Sequence, residues 1–161
     1  MDLFDVVTEV TETNNWGGFT FQVTAAVRPD LVVSSITPAA SSVMQGAKFD
    51  FSYLIANTGD KSSGAGWAGF RIDQQPEQSN SLGFNQMSGL AMGGSQTLTN
   101  SFNTDNLSVG THTLYVMADY WGNQVAEINE ANNVRSITFT VTAPPRADLQ
   151  VASITPAAPS P

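Results

Sequence analysis

Apolar and polar residues alternate along several short stretches of the chain, and a two-residue period marks a half-buried β-strand. The clearest run is Lys48 to Ala56, in which Phe49, Phe51, Tyr53 and Ile55 share one face and Lys48, Asp50 and Ser52 the other. Asn57-Thr58-Gly59-Asp60 then supplies a turn. The same reading predicts strands over residues 30–37, 68–73, 81–85, 96–102, 111–119 and 136–142. Pro38 ends the first of these, and Gly93-Gly94 precedes the strand at 96–102. His112, Leu114, Val116 and Ala118 share a face, as do Ile137, Phe139 and Val141. No helix-period pattern runs beyond about two turns. Seven short antiparallel strands separated by turn signals predict an all-β, immunoglobulin-like sandwich.

The chain is also self-similar. Residues 9–43 align without gaps on residues 127–161 at a constant offset of 118, with 20 of 35 positions identical. The shared pattern reads E-x-x-E-x-N-N, then T-F-x-V-T-A, then R-x-D-L-x-V-x-S-I-T-P-A-A. Such a match marks tandem duplication. It predicts that residues 1–28 are the C-terminal part of a preceding repeat, 29–146 a complete unit, and 147–161 the first strand of a following one. The joins, Ala26-Val27-Arg28-Pro29 and Ala143-Pro144-Pro145-Arg146, favour extended backbone and act as stiff spacers. In this frame Phe19, Phe21 and Val23, with Leu149 and Val151, belong to strands whose parent sheets lie in other units. They are expected to pair with neighbouring repeats or with other copies of the same chain.

Charge and composition narrow the chemistry. Six Lys and Arg stand against 14 Asp and Glu, for a net charge of −8, the wrong sign for nucleic acid or anionic lipid. There is no cysteine, so disulfides, thiolate metal sites and cysteine nucleophiles are excluded. No apolar run approaches the roughly 18 residues of a membrane span. Asp2 and Asp5 stand where a secretory leader would be basic, so either an export signal is expected elsewhere in a longer parent or the chain is a cut-out fragment.

Four candidate sites stand out. Gly64-Ala65-Gly66-Trp67-Ala68-Gly69 fits the dinucleotide pattern G-x-G-x-x-G, but it opens a strand instead of joining a strand to a helix, so no phosphate site is expected. His112, the lone histidine, lies on an inward face and reads as structural. Asp119, Asn123, Glu127 and Glu130 occupy positions 1, 5, 9 and 12 of a twelve-residue stretch. That is EF-hand spacing, but Trp121 and Gln124 break the pattern at positions 3 and 6. A calcium site in a sandwich loop stays open. The alternative is that Asn132 and Asn133 make Asx turns while Glu127 or Glu130 accepts backbone N–H bonds. Trp67, Tyr120 and Trp121 could form an exposed platform for a sugar or protein partner, or pack as support. No catalytic constellation emerges, and no cofactor is required beyond possible calcium.

Five motifs together resemble a known family. They are Asp30-Leu31-Val32-Val33-x-x-Ile36-x-Pro38, Tyr53-x-Ile55-x-Asn57-x-Gly59, and Leu90-x-x-Gly93-x-Ser95. Gly110-x-x-x-Leu114-x-Val116-x-Ala118-Asp119 and Val125-x-Glu127-x-x-Glu130-x-Asn132-Asn133 complete the set. In this order, over residues 30–142, they resemble the CARDB domain, the cell-adhesion-related domain of bacteria. The resemblance implies a β-sandwich used in tandem on secreted or surface proteins, with no catalytic residues. The expected function is a non-catalytic adhesion or stalk module outside the cell or on its surface. The alternative is a carbohydrate-binding module attached to an extracellular hydrolase.

Overall fold

The computed structural model describes residues 8, 10, 17–75, 81–121 and 125–155. Its strands are β1 (Leu31–Pro38), β2 (Ser42–Met44), β3 (Lys48–Asn57), β4 (Gly66–Ile72), β5 (Gly83–Met87), β6 (Ser95–Asn103), β7 (Gly110–Met117) and β8 (Val134–Thr142). They form two sheets, ordered β1-β3-β6 and β2-β8-β7-β4-β5. The two sheets face each other as an all-β sandwich.

Where the sequence predicts seven strands, the described residues hold eight. The addition, β2, runs parallel to β8 and pairs Val43 with Val141, whereas the other pairings are antiparallel. Three residues with only Val43 half-buried give no readable alternation. A register shift between Val33 and Ser35 in β1 also breaks the two-residue period. Both Val33 and Ile36 thereby reach the core although they are three positions apart.

Alternation in β3 builds the centre of the core. Phe49, Phe51, Tyr53 and Ile55 are all buried, and Phe51 meets Phe70 edge-on at 5.1 Å across the sandwich. Phe49 lies 4.4 Å from Phe139 of β8. Aromatic contacts between the sheets replace the cross-sheet disulfide of antibody domains. His112 is buried at the rim of this core, with Nδ1 2.7 Å from Asp73 Oδ2 and Nε2 2.8 Å from the Ser108 carbonyl. The bond to Asp73 holds the imidazole pKa above its usual value, against the opposing effect of burial. Both ring nitrogens thus face acceptors. Gly66 to Gly69 lie within strand β4, so the glycine pattern there is sheet, not a phosphate loop.

Phe51→Ala should cost about 3–5 kcal/mol, because it empties the point where the two sheets meet. Asp50→Ala on the solvent face loses only the exposed 2.8 Å ion pair with Lys48 and should cost under about 0.5 kcal/mol. Urea unfolding of both variants measures this, and comparable losses would contradict the facing of β3.

Candidate functional site

Three loops converge where β1 begins. The β3–β4 loop approaches first, through Asn57. Its amide is 1% exposed and fully engaged: Oδ1 accepts the Asp30 and Gly59 N–H groups, and Nδ2 donates to the carbonyls of Lys61, Leu90 and Ala91. One side chain thus ties the chain entry to two loops. Gly59 lets the entry segment lie flat on the turn, since a Cβ there would run into the backbone of Arg28, Pro29 and Asp30. The Asp60 N–H donates to the Arg28 carbonyl at 3.0 Å and the Thr58 N–H to that of Asp30 at 2.7 Å. The sequence identifies Asn57 only as a turn residue; its burial follows from strand parity with Ile55, which could have signalled the hub.

The β7–β8 loop closes the site from the other sheet. Glu127 is 3% exposed, and its Oε2 accepts the Leu31 N–H at 2.7 Å. Glu130 Oε1 accepts the Glu127 N–H at 3.0 Å, and Asn132 Nδ2 donates to Asp30 Oδ1 at 3.0 Å. Asn133, oriented as its surroundings require, donates to the Leu31 carbonyl at 2.6 Å. The E-x-x-E-x-N-N motif is therefore a clamp on the first strand. Sequence reasoning expects these carboxylates to accept N–H bonds near the last strand; the Glu127 partner lies 96 residues away, at the opposite end of the unit.

Asp119 completes the cluster. It sits at φ 46°, and its Oδ2 accepts the Val125 N–H at 2.9 Å. One carboxylate oxygen each from Asp119, Glu127 and Glu130 lie within 4.8 Å of one another. Asp119 and Glu127 are buried and Glu130 is exposed. Asn123, the fourth predicted ligand, lies outside the described residues. Burial raises the Glu127 pKa to about 7; the Leu31 N–H pulls it down, while the charges of Glu130, Asp119 and Asp30 add to the rise. Hard oxygen ligands crowded this closely are the donor set that suits a cation such as calcium.

On the outer face of the same sheet the predicted aromatic platform divides. Tyr120 is 2% exposed and cannot present a face to a partner. Its ring covers Gly69, where a Cβ would come within 2.6 Å of it, and its hydroxyl accepts the Ser81 N–H at 2.8 Å. Tyr120 is thus support, a correction to its expected place in the platform. Trp67 and Trp121 do meet, 6.1 Å apart, and both contact Phe84 of β5 at 5.4 and 5.6 Å. Phe84 and Trp121 are each 48% exposed. The sequence singles out no Phe84, although its outward parity on β5 was available as a signal.

In the presence of chelator, Glu127 predicts a sloping pH profile. Its folded pKa lies above the ordinary 4.5, so the folded state keeps a proton that the unfolded chain has released. Stability therefore falls as pH rises from about 4.5 to about 7 and levels off above. Glu127→Gln should lack this part of the slope in urea melts at pH 5 and 7.5. Parallel profiles for the two proteins would refute the assignment.

No curated protein matches the sequence. Residues 28–137 match the family model described as CARDB. Among solved structures, the fold is similar to a CARDB domain from Pyrococcus furiosus, described as a complex with di-metal ions. That match has 20% identity and a TM-score of 0.60, covering 75% of this chain and 100% of the other. A domain of a cell surface protein from Methanosarcina acetivorans is similar at 23% identity and TM-score 0.57, covering 71% and 92%. A β-glucosidase from Erythrobacter marinus shares the fold alone, at 13% identity and TM-score 0.51, over 71% of this chain and 16% of that one. CARDB domains are associated with cell-surface proteins, and no described helix is long and apolar enough to cross a membrane. The chain belongs to the CARDB family, a class of adhesion-related cell-surface modules.

Proposed function

We propose that the chain is a non-catalytic repeat from a tandem array, serving as a stalk or fibre unit of a secreted or surface-attached protein. One observation carries this reading. The segments flanking the sandwich are sequence copies of its own core strands, yet they are exposed. Phe19, Phe21 and Val23 are 87, 77 and 81% exposed, while Phe139 and Val141, the counterparts of the last two, are 2 and 0%. Leu149 and Val151 are 93 and 80% exposed, against 0 and 2% for Leu31 and Val33. Residues chosen for a core face need a second sandwich to bury them. The lone histidine, held at both nitrogens, supports the absence of catalysis.

Phe84, Trp67 and Trp121 favour a second reading, carbohydrate binding, because two exposed rings in contact with each other and with the half-buried Trp67 suit stacking on a sugar. Glycan-array binding abolished by Trp121→Ala would carry that reading; a pure stalk unit gives no sugar-dependent signal.

The overhangs set the first test. An unpaired apolar strand seeks an open sheet edge, so copies of the full chain should associate by strand addition. Sedimentation at high concentration should show assembly for the full chain and a monomer for residues 28–146. Two monomers would exclude assembly through the overhangs.

We further propose that Asp119, Glu127 and Glu130 hold calcium, with Asn123 as the fourth predicted ligand. Support comes from the 4.8 Å cluster and from the di-metal ions described for the Pyrococcus furiosus domain. Millimolar calcium should raise the melting temperature by several degrees over EDTA, since it would bind only the folded clamp. Superimposable melting curves would exclude the site.

A further inference from the structure

The chain enters the sandwich at one pole and leaves it at the other. Leu31 lies beside the loop that precedes β8, bonded to Glu127 and Asn133, whereas β8 ends at Thr142 beside Met44. Eight residue steps of strand separate the start and end of β8, roughly 26 Å.

At the entry pole the link is held and does not swing. The carbonyls of Arg28, Pro29 and Asp30 accept N–H bonds from Asp60, Ile128 and Thr58 at 3.0, 2.9 and 2.7 Å. By the repeat, Arg146 and Asp148 are the equivalents of Arg28 and Asp30 in the next unit. Only Ala143, Pro144 and Pro145 therefore lie between the end of β8 and the next clamp. Four Cα steps from Thr142 to Arg146 reach at most about 14 Å. A five-stranded sheet is itself about 19 Å wide, and the two sheets lie about 10 Å apart. A link this short, stiffened by two prolines, keeps the two poles against each other.

Apolar side chains stand where they would meet. Ile128, 54% exposed, flanks the chain entry through its bond to Pro29. Met44 and Val109, 44 and 53% exposed, flank the exit: Met44 pairs with Thr142, and Val109 precedes Gly110, the partner of Val141. We infer that the entry pole around Ile128 is the docking surface for the Met44–Val109 exit pole of the preceding repeat, so that consecutive units keep one fixed end-to-end orientation. This rests on the array reading above. The occupant is a second copy of this same unit, delivered by the link.

The test extends the full chain by a second copy of residues 44–146, which completes, in frame, the unit opened at residue 147. Residual dipolar couplings from both units should fit one alignment tensor, and small-angle scattering should give nearly twice the length of one unit. Ile128→Ser in the second unit, or Val109→Ser in the first, should split the couplings into two tensors of unequal magnitude. Each unit's melting temperature should move by no more than a degree or two, which separates a freed joint from a misfolded unit. An extended molecule that already needs two tensors without substitution overturns the fixed joint and leaves the array reading standing. Two units lying side by side overturn both.

Discussion

The Leu31 amide and the Glu127 carboxylate meet in a buried 2.7 Å hydrogen bond that the entry pole depends on. It joins the first strand to the last loop, and so fastens the three-stranded sheet to the five-stranded one at the end where neither has a strand pairing to the other. Once the carboxyl is ionised, above about pH 7, this bond is stronger than a neutral one, and at any pH losing one partner would leave a buried polar group unmet. Its cost is a carboxylate with a pKa raised by burial and by three acidic neighbours. The clamp and the cation-ready cluster are one object: the residues that fix β1 also concentrate the negative charge.

Tyr120 shows how the loop carrying that cluster is kept in place. The Tyr120 N–H donates to the Trp67 carbonyl at 2.8 Å, and its ring lies over Gly69. Asp119, one residue earlier, is thereby directed into the pole while Trp121, one residue later, is left on the outer face. A single left-handed residue, Asp119 at φ 46°, makes this reversal possible. The aromatic triplet and the carboxylate cluster are therefore two faces of one turn, and a substitution at Gly69 would disturb both.

Strand positions were legible because one face of each strand is buried and the other wet, as in β3. Legibility failed wherever a residue's role depended on a partner distant in sequence. Asn57 looks like a turn residue until the loops at Lys61 and Leu90 close around its amide. Glu127 looks like a local cap until β1 arrives. Tyr120 and Trp121 are equally aromatic in sequence, and only the glycine two residues after Trp67 on β4 decides which is covered. β2 is not legible because three residues cannot display a period, and its parallel pairing with β8 depends on a chain reversal that no local pattern announces. The self-similarity at an offset of 118, by contrast, is a property of the sequence alone, since identity at a fixed offset needs no third dimension.

A joint between repeats also explains why so little apolar surface is needed at the poles. One exposed isoleucine facing a methionine and a valine would not hold two free molecules together, because association costs several kcal/mol of translational and rotational freedom. A link of three residues has largely met that cost in advance. Two poles confined within about 14 Å experience a millimolar or greater effective concentration, so contacts too weak to form a dimer suffice to fix an orientation. The proline pair removes flexibility from the link, and the clamp on Arg28, Pro29 and Asp30 removes slack at its end. Stiffness then resides in the covalent connection and its anchor, and the pole contacts need only select one orientation among the few that the connection allows.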